Sequence, residues 1–196
     1  MKKQVKAAEV LITLNVVIFL LAELISGSTE NTSVLITWGG AYVPYIQNGA
    51  YWRLFTAMFM HSGIRHLLNN MLLLYVMGEH LETLIGSVRF AALYLLSGLS
   101  ANIAAYCYYV KTGQAVVSVG ASGAIYAVIG ALLLIIIRCR GKADGLSLKQ
   151  MLILLALSLY FGFVAANVSN IAHIFGLISG FLLCLILWKK PEETER

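Results

Sequence analysis

Five separate apolar stretches, at about 8–26, 88–110, 121–138, 148–166 and 171–188, dominate this 196-residue chain. A helix rises 1.5 Å per residue, so roughly 20 apolar residues cross about 30 Å of hydrocarbon. No water satisfies backbone N–H and C=O groups in that layer, so each stretch must close its own hydrogen bonds as a helix. The side-chain balance agrees, with 60% hydrophobic and 12% charged residues, against about 25% charged in a soluble domain. The sequence therefore predicts an all-α polytopic membrane protein with little chain left for a soluble domain. The first stretch follows Lys2, Lys3 and Lys6 in the manner of a signal peptide, but Glu23 to Ser28 offers no clear small-x-small cleavage site and further spans follow.

A sixth span is read at 66–82, where His66, Asn69, Asn70, Glu79, His80 and Glu82 flank the apolar run Met71 to Met77. The basic residues support it. Six spans with an internal N-terminus place Lys2, Lys3, Lys6, Arg89, Arg138, Arg140, Lys142, Lys149, Lys189, Lys190 and Arg196 in the cytoplasm, and only Arg53, Arg65 and Lys111 outside. Five spans would break this positive-inside bias. Both termini are then cytoplasmic, and the net charge of +5 reflects basic loops facing anionic lipid, with no nucleic acid implied. Segment 27–65 carries Trp38, Tyr42, Tyr45, Tyr51, Trp52, Phe55 and Phe59 but no run long enough to cross, and reads as short elements in the outer interface. Residues 1–196 form one membrane domain, and Cys107, Cys139 and Cys184 have neither disulfide nor metal spacing.

Polar side chains at membrane depth usually line an interior cavity and serve a function. Ser122 opens the fourth span between Gly120 and Gly123, where free backbone N–H groups and the helix dipole favour a developing oxyanion. His173 lies in the first turn of the sixth span at the same depth, followed on its face by Gly176 and Gly180. Gly123, Ala127 and Gly130 form a matching small-residue stripe, so the two helices should pack closely and bring the imidazole to the hydroxyl. The one aspartate, Asp144, falls in a cytoplasmic loop, which implies a Ser-His dyad without a third acid. His66 and Asn70 share a helical face, belong to the series His61, His66, Asn70, and are suited to donate to an oxyanion. A metal site from His61, His66 and His173 is the weaker reading, because no carboxylate or cysteine lies at that depth to complete it.

Taken together, Gly120-Ala121-Ser122-Gly123 with Tyr126 and Gly130, Ala172-His173-Ile174-Phe175-Gly176 with Gly180, His61/His66/Asn70, and Trp52-Arg53 resemble the rhomboid family of intramembrane serine proteases. The resemblance covers almost the whole chain. It implies a six-helix core, Ser122 as nucleophile, His173 as general base, and an oxyanion hole of His66, Asn70 and the Ser122 backbone N–H. It also implies that Tyr126 packs against the His173 ring. The family cleaves single-span transmembrane substrates near the outer membrane face without metal or cofactor. Relatives with an extra soluble domain or seventh span make this chain look like the minimal form, with a bacterial plasma membrane as the expected location.

Peptide hydrolysis needs water, so the polar residues should line a cavity open to the outer side. Phe161 and Phe163 flank Gly162 and are read as a gate through which substrate enters. Two other readings fit the residues less well. An inactive helix-binding relative would usually lack the serine or histidine, and both are present. A transporter would usually show inverted repeats, and the two halves share no such symmetry.

Overall fold

A computed structural model describes residues 6–164 and 169–189. Helix α1 (Ala7–Ser26) leads into a chain of short elements: α2 (Thr32–Thr37), strand β1 (Ala41–Tyr42), α3 (Val43–Gln47), α4 (Arg53–Thr56) and a 3-10 turn (Ala57–Phe59). Helices α5 (Gly63–Ile85) and α6 (Ser87–Lys111) follow, then strand β2 (Val117–Ser118) and α7 (Ser122–Arg138). A hairpin of β3 (Lys142–Ala143) and β4 (Leu146–Ser147) precedes α8 (Leu148–Val164) and α9 (Asn170–Leu187). Among the described residues the fold is all-α apart from two ladders of two residues per strand.

Helices α1, α6 and α9 are long and apolar enough to cross a membrane, and α7 and the Leu148–Tyr160 part of α8 are shorter apolar helices. Polar side chains dilute α5, yet its 23 residues reach roughly 34 Å. It begins three residues before the expected span and ends three after it, because Ser62 and Gly86, rather than the edges of apolarity, bound the helix. The end of the expected span 148–166 lies outside the described residues.

Helix α7 occupies the centre. Every residue from Gly123 to Ile136 is buried, as an apolar surface on all sides requires. Its main neighbours are α9, α6 and α5. Against α9 the approach is backbone to backbone: a Cβ on Gly176 would collide with the Gly123 carbonyl oxygen, one on Gly180 with that of Ala127, and one on Gly130 with that of Leu177. Small residues remove the side-chain layer that normally separates helices.

The two ends of the bundle are fastened differently. At the end away from Ser122, the buried Glu82 carboxylate accepts from Ala7 N (2.7 Å) and Ala8 N (3.0 Å) and from the Ser87 hydroxyl, joining α5 to the first turn of α1 and the start of α6. Lys6 pairs with Glu79 nearby. His80 Nδ1 lies 2.8 Å from Asp144 Oδ2, and Asp144-Gly145, with φ of 46° and 78°, make the tight turn that a two-residue hairpin favours.

At the Ser122 end, segment 27–65 folds into the short elements expected, but what organises them is buried. Arg53, 7% exposed, donates from Nη1 to Ile36 O (2.6 Å) and Gly40 O (3.0 Å). Its guanidinium lies 4.6 Å from the centre of the Trp52 ring and 5.0 Å from that of Tyr45. Asn102 on α6 donates to Leu54 O at 2.8 Å. The β1–β2 ladder, Ala41 opposite Ser118 and Tyr42 opposite Val117, ties this segment to the chain entering α7; no alternating pattern announces it.

Candidate active site

Ser122 is the first residue of α7. The chain reaches it through Gly120 at φ +123°, a backbone state open to glycine, and a Cβ there would lie 2.8 Å from His66 Cε1 and Nε2. Gly120 N donates to Ala57 O at 2.9 Å and Ala121 N to His61 Nε2 at 3.5 Å, so the segment before α5 holds the approach to the serine. His61 is fully buried. Loss of hydration, with a smaller effect of His66, lowers the pKa of its imidazole from 6.5 to about 3.

His173 is set by the start of α9. Ser169 caps this helix, its hydroxyl accepting from Ala172 N (3.4 Å) and from the Tyr109 hydroxyl on α6 (3.0 Å). His173 N reaches Ser169 O at 3.2 Å. The imidazole is 6% exposed, and its Nε2 stands 2.9 Å from Ser122 Oγ. Tyr126, one turn beyond Ser122, stacks on the His173 ring with centroids 4.1 Å apart and planes 12° from parallel. The small-residue seam between α7 and α9 makes this approach possible.

His66 and Asn70 project from the first turns of α5 onto Gly120. Ser62 N donates to His66 Nδ1 at 3.4 Å, so a neutral ring carries its hydrogen on Nε2, the nitrogen beside Gly120. Asn70 Nδ2 would lie 3.6 Å from a Cβ on Gly120; it is buried and has no partner among the described residues. Such an orphan is rare. The start of α5 is fixed in turn, since Gly63 N donates to Thr29 Oγ1 (3.1 Å), whose hydroxyl donates to Glu23 (2.6 Å).

The structure thus gathers Ser122, His173, Tyr126, His66, Asn70, His61 and Gly120 at one end of the bundle. Gly123, Gly176 and Gly180 lie in the seam beneath, and in the outer segment Arg53 is buried with the exposed Trp52 ring against its guanidinium. Phe161 and Phe163 belong to the last turn of α8, and their side chains lie outside the described residues; Gly162 between them is buried against Asn170 and His173. Among the described residues no three His, Cys, Asp or Glu side chains gather as a metal set. Sequence reasoning missed Ser169, Thr29, Glu23 and Asn170. Only Ser169, a serine just before an apolar helix, carried a usable cap signal.

A part-buried hydroxyl–imidazole pair at the head of a central helix, inside an all-α membrane bundle, defines the class of protein. A model of the Rhomboid domain matches residues 48–190. The chain is 36% identical over 176 residues to rhomboid protease GluP of Bacillus subtilis (strain 168), covering 90% of this chain and 34% of that protein. It is 34% identical over 163 residues to putative rhomboid protease YdcA of the same organism, covering 81% and 80%. RHOMBOID-like protein 6, mitochondrial, of Arabidopsis thaliana is 37% identical over 150 residues, covering 76% and 47%. The chain belongs to the rhomboid family, and it spans only about a third of GluP and about half of the Arabidopsis protein.

Proposed function

We propose that this chain is an intramembrane serine endopeptidase that cleaves single-span transmembrane proteins, in or beside their membrane helix, near the outer membrane face. The observation that carries the reading is the 2.9 Å contact of His173 Nε2 with Ser122 Oγ. The convergence of His66 Nε2 and Asn70 Nδ2 on Gly120, two residues away, supports it.

In this reading His173 takes the Ser122 proton as Oγ attacks the scissile carbonyl. The tetrahedral oxyanion receives hydrogen bonds from His66 Nε2–H, Asn70 Nδ2–H and the Ser122 backbone N–H. Collapse expels the amine, which takes the proton from His173, and an ester to Ser122 remains. Water, deprotonated by His173, then attacks the ester carbonyl, and His173 gives that proton to Ser122 Oγ as the acid product leaves. These residues suffice without metal or cofactor. Residues 1–196 act as one domain in a bacterial plasma membrane, with both termini cytoplasmic and Ser122 at the outer end. Phe161 and Phe163 gate substrate entry.

The deciding experiment uses purified chain in detergent with a transmembrane substrate. Ser122→Ala and His173→Ala should each abolish cleavage while the helical circular dichroism is retained, and labelling of Ser122 by a fluorophosphonate should vanish in Ser122→Ala. Cleavage that survives either change sinks the assignment. For the gate, Phe161→Ala combined with Phe163→Ala should alter the rate on transmembrane substrates; an unchanged rate for every one tested removes it.

A further inference from the structure

His173 uses only one of its ring nitrogens on Ser122. A neutral imidazole carries a single N–H, so when Nε2 accepts from the serine hydroxyl, Nδ1 holds the hydrogen. That Nδ1 is buried and has no partner among the described residues, and the same is true of Asn170 Oδ1. The two atoms border the same niche. A Cβ on Gly162 would lie 3.0 Å from Asn170 Oδ1 and 3.4 Å from His173 Nδ1, so both border the space that this glycine leaves open.

The orientation of the amide is settled by its other end. Asn170 Nδ2 donates to Gly162 O at 3.3 Å, and a carbonyl only accepts, so the nitrogen must face α8 and the oxygen is the free end. Asn170 precedes His173 by three residues on α9 and shares its face. An acceptor and a donor, each otherwise unused, therefore flank one small niche behind the base. A triad fills this place with aspartate. Here the one aspartate, Asp144, pairs with His80 at the opposite end.

We propose that Asn170 is a positioning residue whose carboxamide oxygen accepts from His173 Nδ1–H, directly or through one water, and holds the base in the tautomer that can receive the Ser122 proton. The proposal rests on the dyad reading above. Asn170 acts through His173 and touches no reacting atom. Its link to Gly162 O also makes the outer turn of α8 part of the support of the base.

The test uses the full chain in detergent with 15N-labelled histidine, the His173 signals being assigned by their loss in His173→Ala. In the native chain the shifts should show hydrogen on Nδ1. Asn170→Ala should move the tautomer toward Nε2–H and lower kcat about 10- to 100-fold, within the range of a positioned proton transfer, with KM changed less than about twofold. Asn170→Asp should restore both the tautomer and most of kcat. An Asn170→Ala chain that keeps the native tautomer and kcat overturns the proposal, as does equal loss of activity in both variants with the tautomer unmoved. Should Asn170→Ala fail to fold, Gly162→Ala decides: a methyl in the niche should shift the tautomer, and an unchanged tautomer is again fatal. The tautomer is read without turnover, so a chain that cleaved no substrate would overturn the protease assignment and leave the Asn170 result standing.

Discussion

Asn70 combines burial with an unanswered donor, which makes stability and activity pull in opposite directions at one side chain. Asn70→Ala should reduce kcat by about 10²–10³, the usual effect of losing an oxyanion donor. It should leave the thermal midpoint equal or higher, because an unsatisfied buried group costs about 1–3 kcal/mol. A fall in both would mark Asn70 as structural. His61 gives a prediction in pH. Its pKa drops from 6.5 to about 3 on folding, so the unfolded chain binds the extra proton between those values. The stability due to neutral His61 is complete above pH 6.5 and drains away as pH falls toward 3. His61→Gln should flatten the dependence of the unfolding midpoint on pH across that window, and an unaltered slope would assign the titration elsewhere. At this scale the grouping of Ser122 with His173, and of His66 with Asn70, was legible, since polar groups in apolar runs stand out and helical spacing relates their positions. Asn170, Thr29 and Glu23 stayed hidden, because asparagine, threonine and glutamate near a span's end look like ordinary interface residues until their partners on other segments are known.

Among the elements, the α7–α9 pair governs the site. Gly180→Val would push α9 off the Ala127 carbonyl, destabilising the chain by about 1–3 kcal/mol as overpacking does and carrying His173 away from Ser122. Thermal unfolding and fluorophosphonate labelling should both register the change. Ile186→Val, on the exposed side of the same helix at 76% exposure, should alter neither. The two glycine-containing stripes could be read beforehand because helical geometry places i and i+4 on one face. Helix α5 was legible only through the count of basic loops, its own apolarity being interrupted by polar side chains toward both ends. The β1–β2 ladder was not legible at all, since two residues per strand, joined across most of the chain, leave no periodicity.

Over the whole molecule, the end remote from Ser122 is held by one buried carboxylate. Glu82→Ala strips partners from Ala7 N, Ala8 N and Ser87 together and should destabilise by about 1–3 kcal/mol. Lys6→Met removes only a solvent-exposed ion pair and should leave the midpoint in place; the reverse order of effects would relocate the anchor. The direct contact of α7 with α9 has a bearing on the surrounding lipid. A bilayer too thin or thick for its helices makes them tilt or draws in the lipid around them, yet two helices seated glycine against carbonyl can tilt only as one body. Acyl-chain length should therefore tune how substrate and water arrive, seen as a change in KM, while labelling of Ser122 proceeds at one rate from short lipids to long.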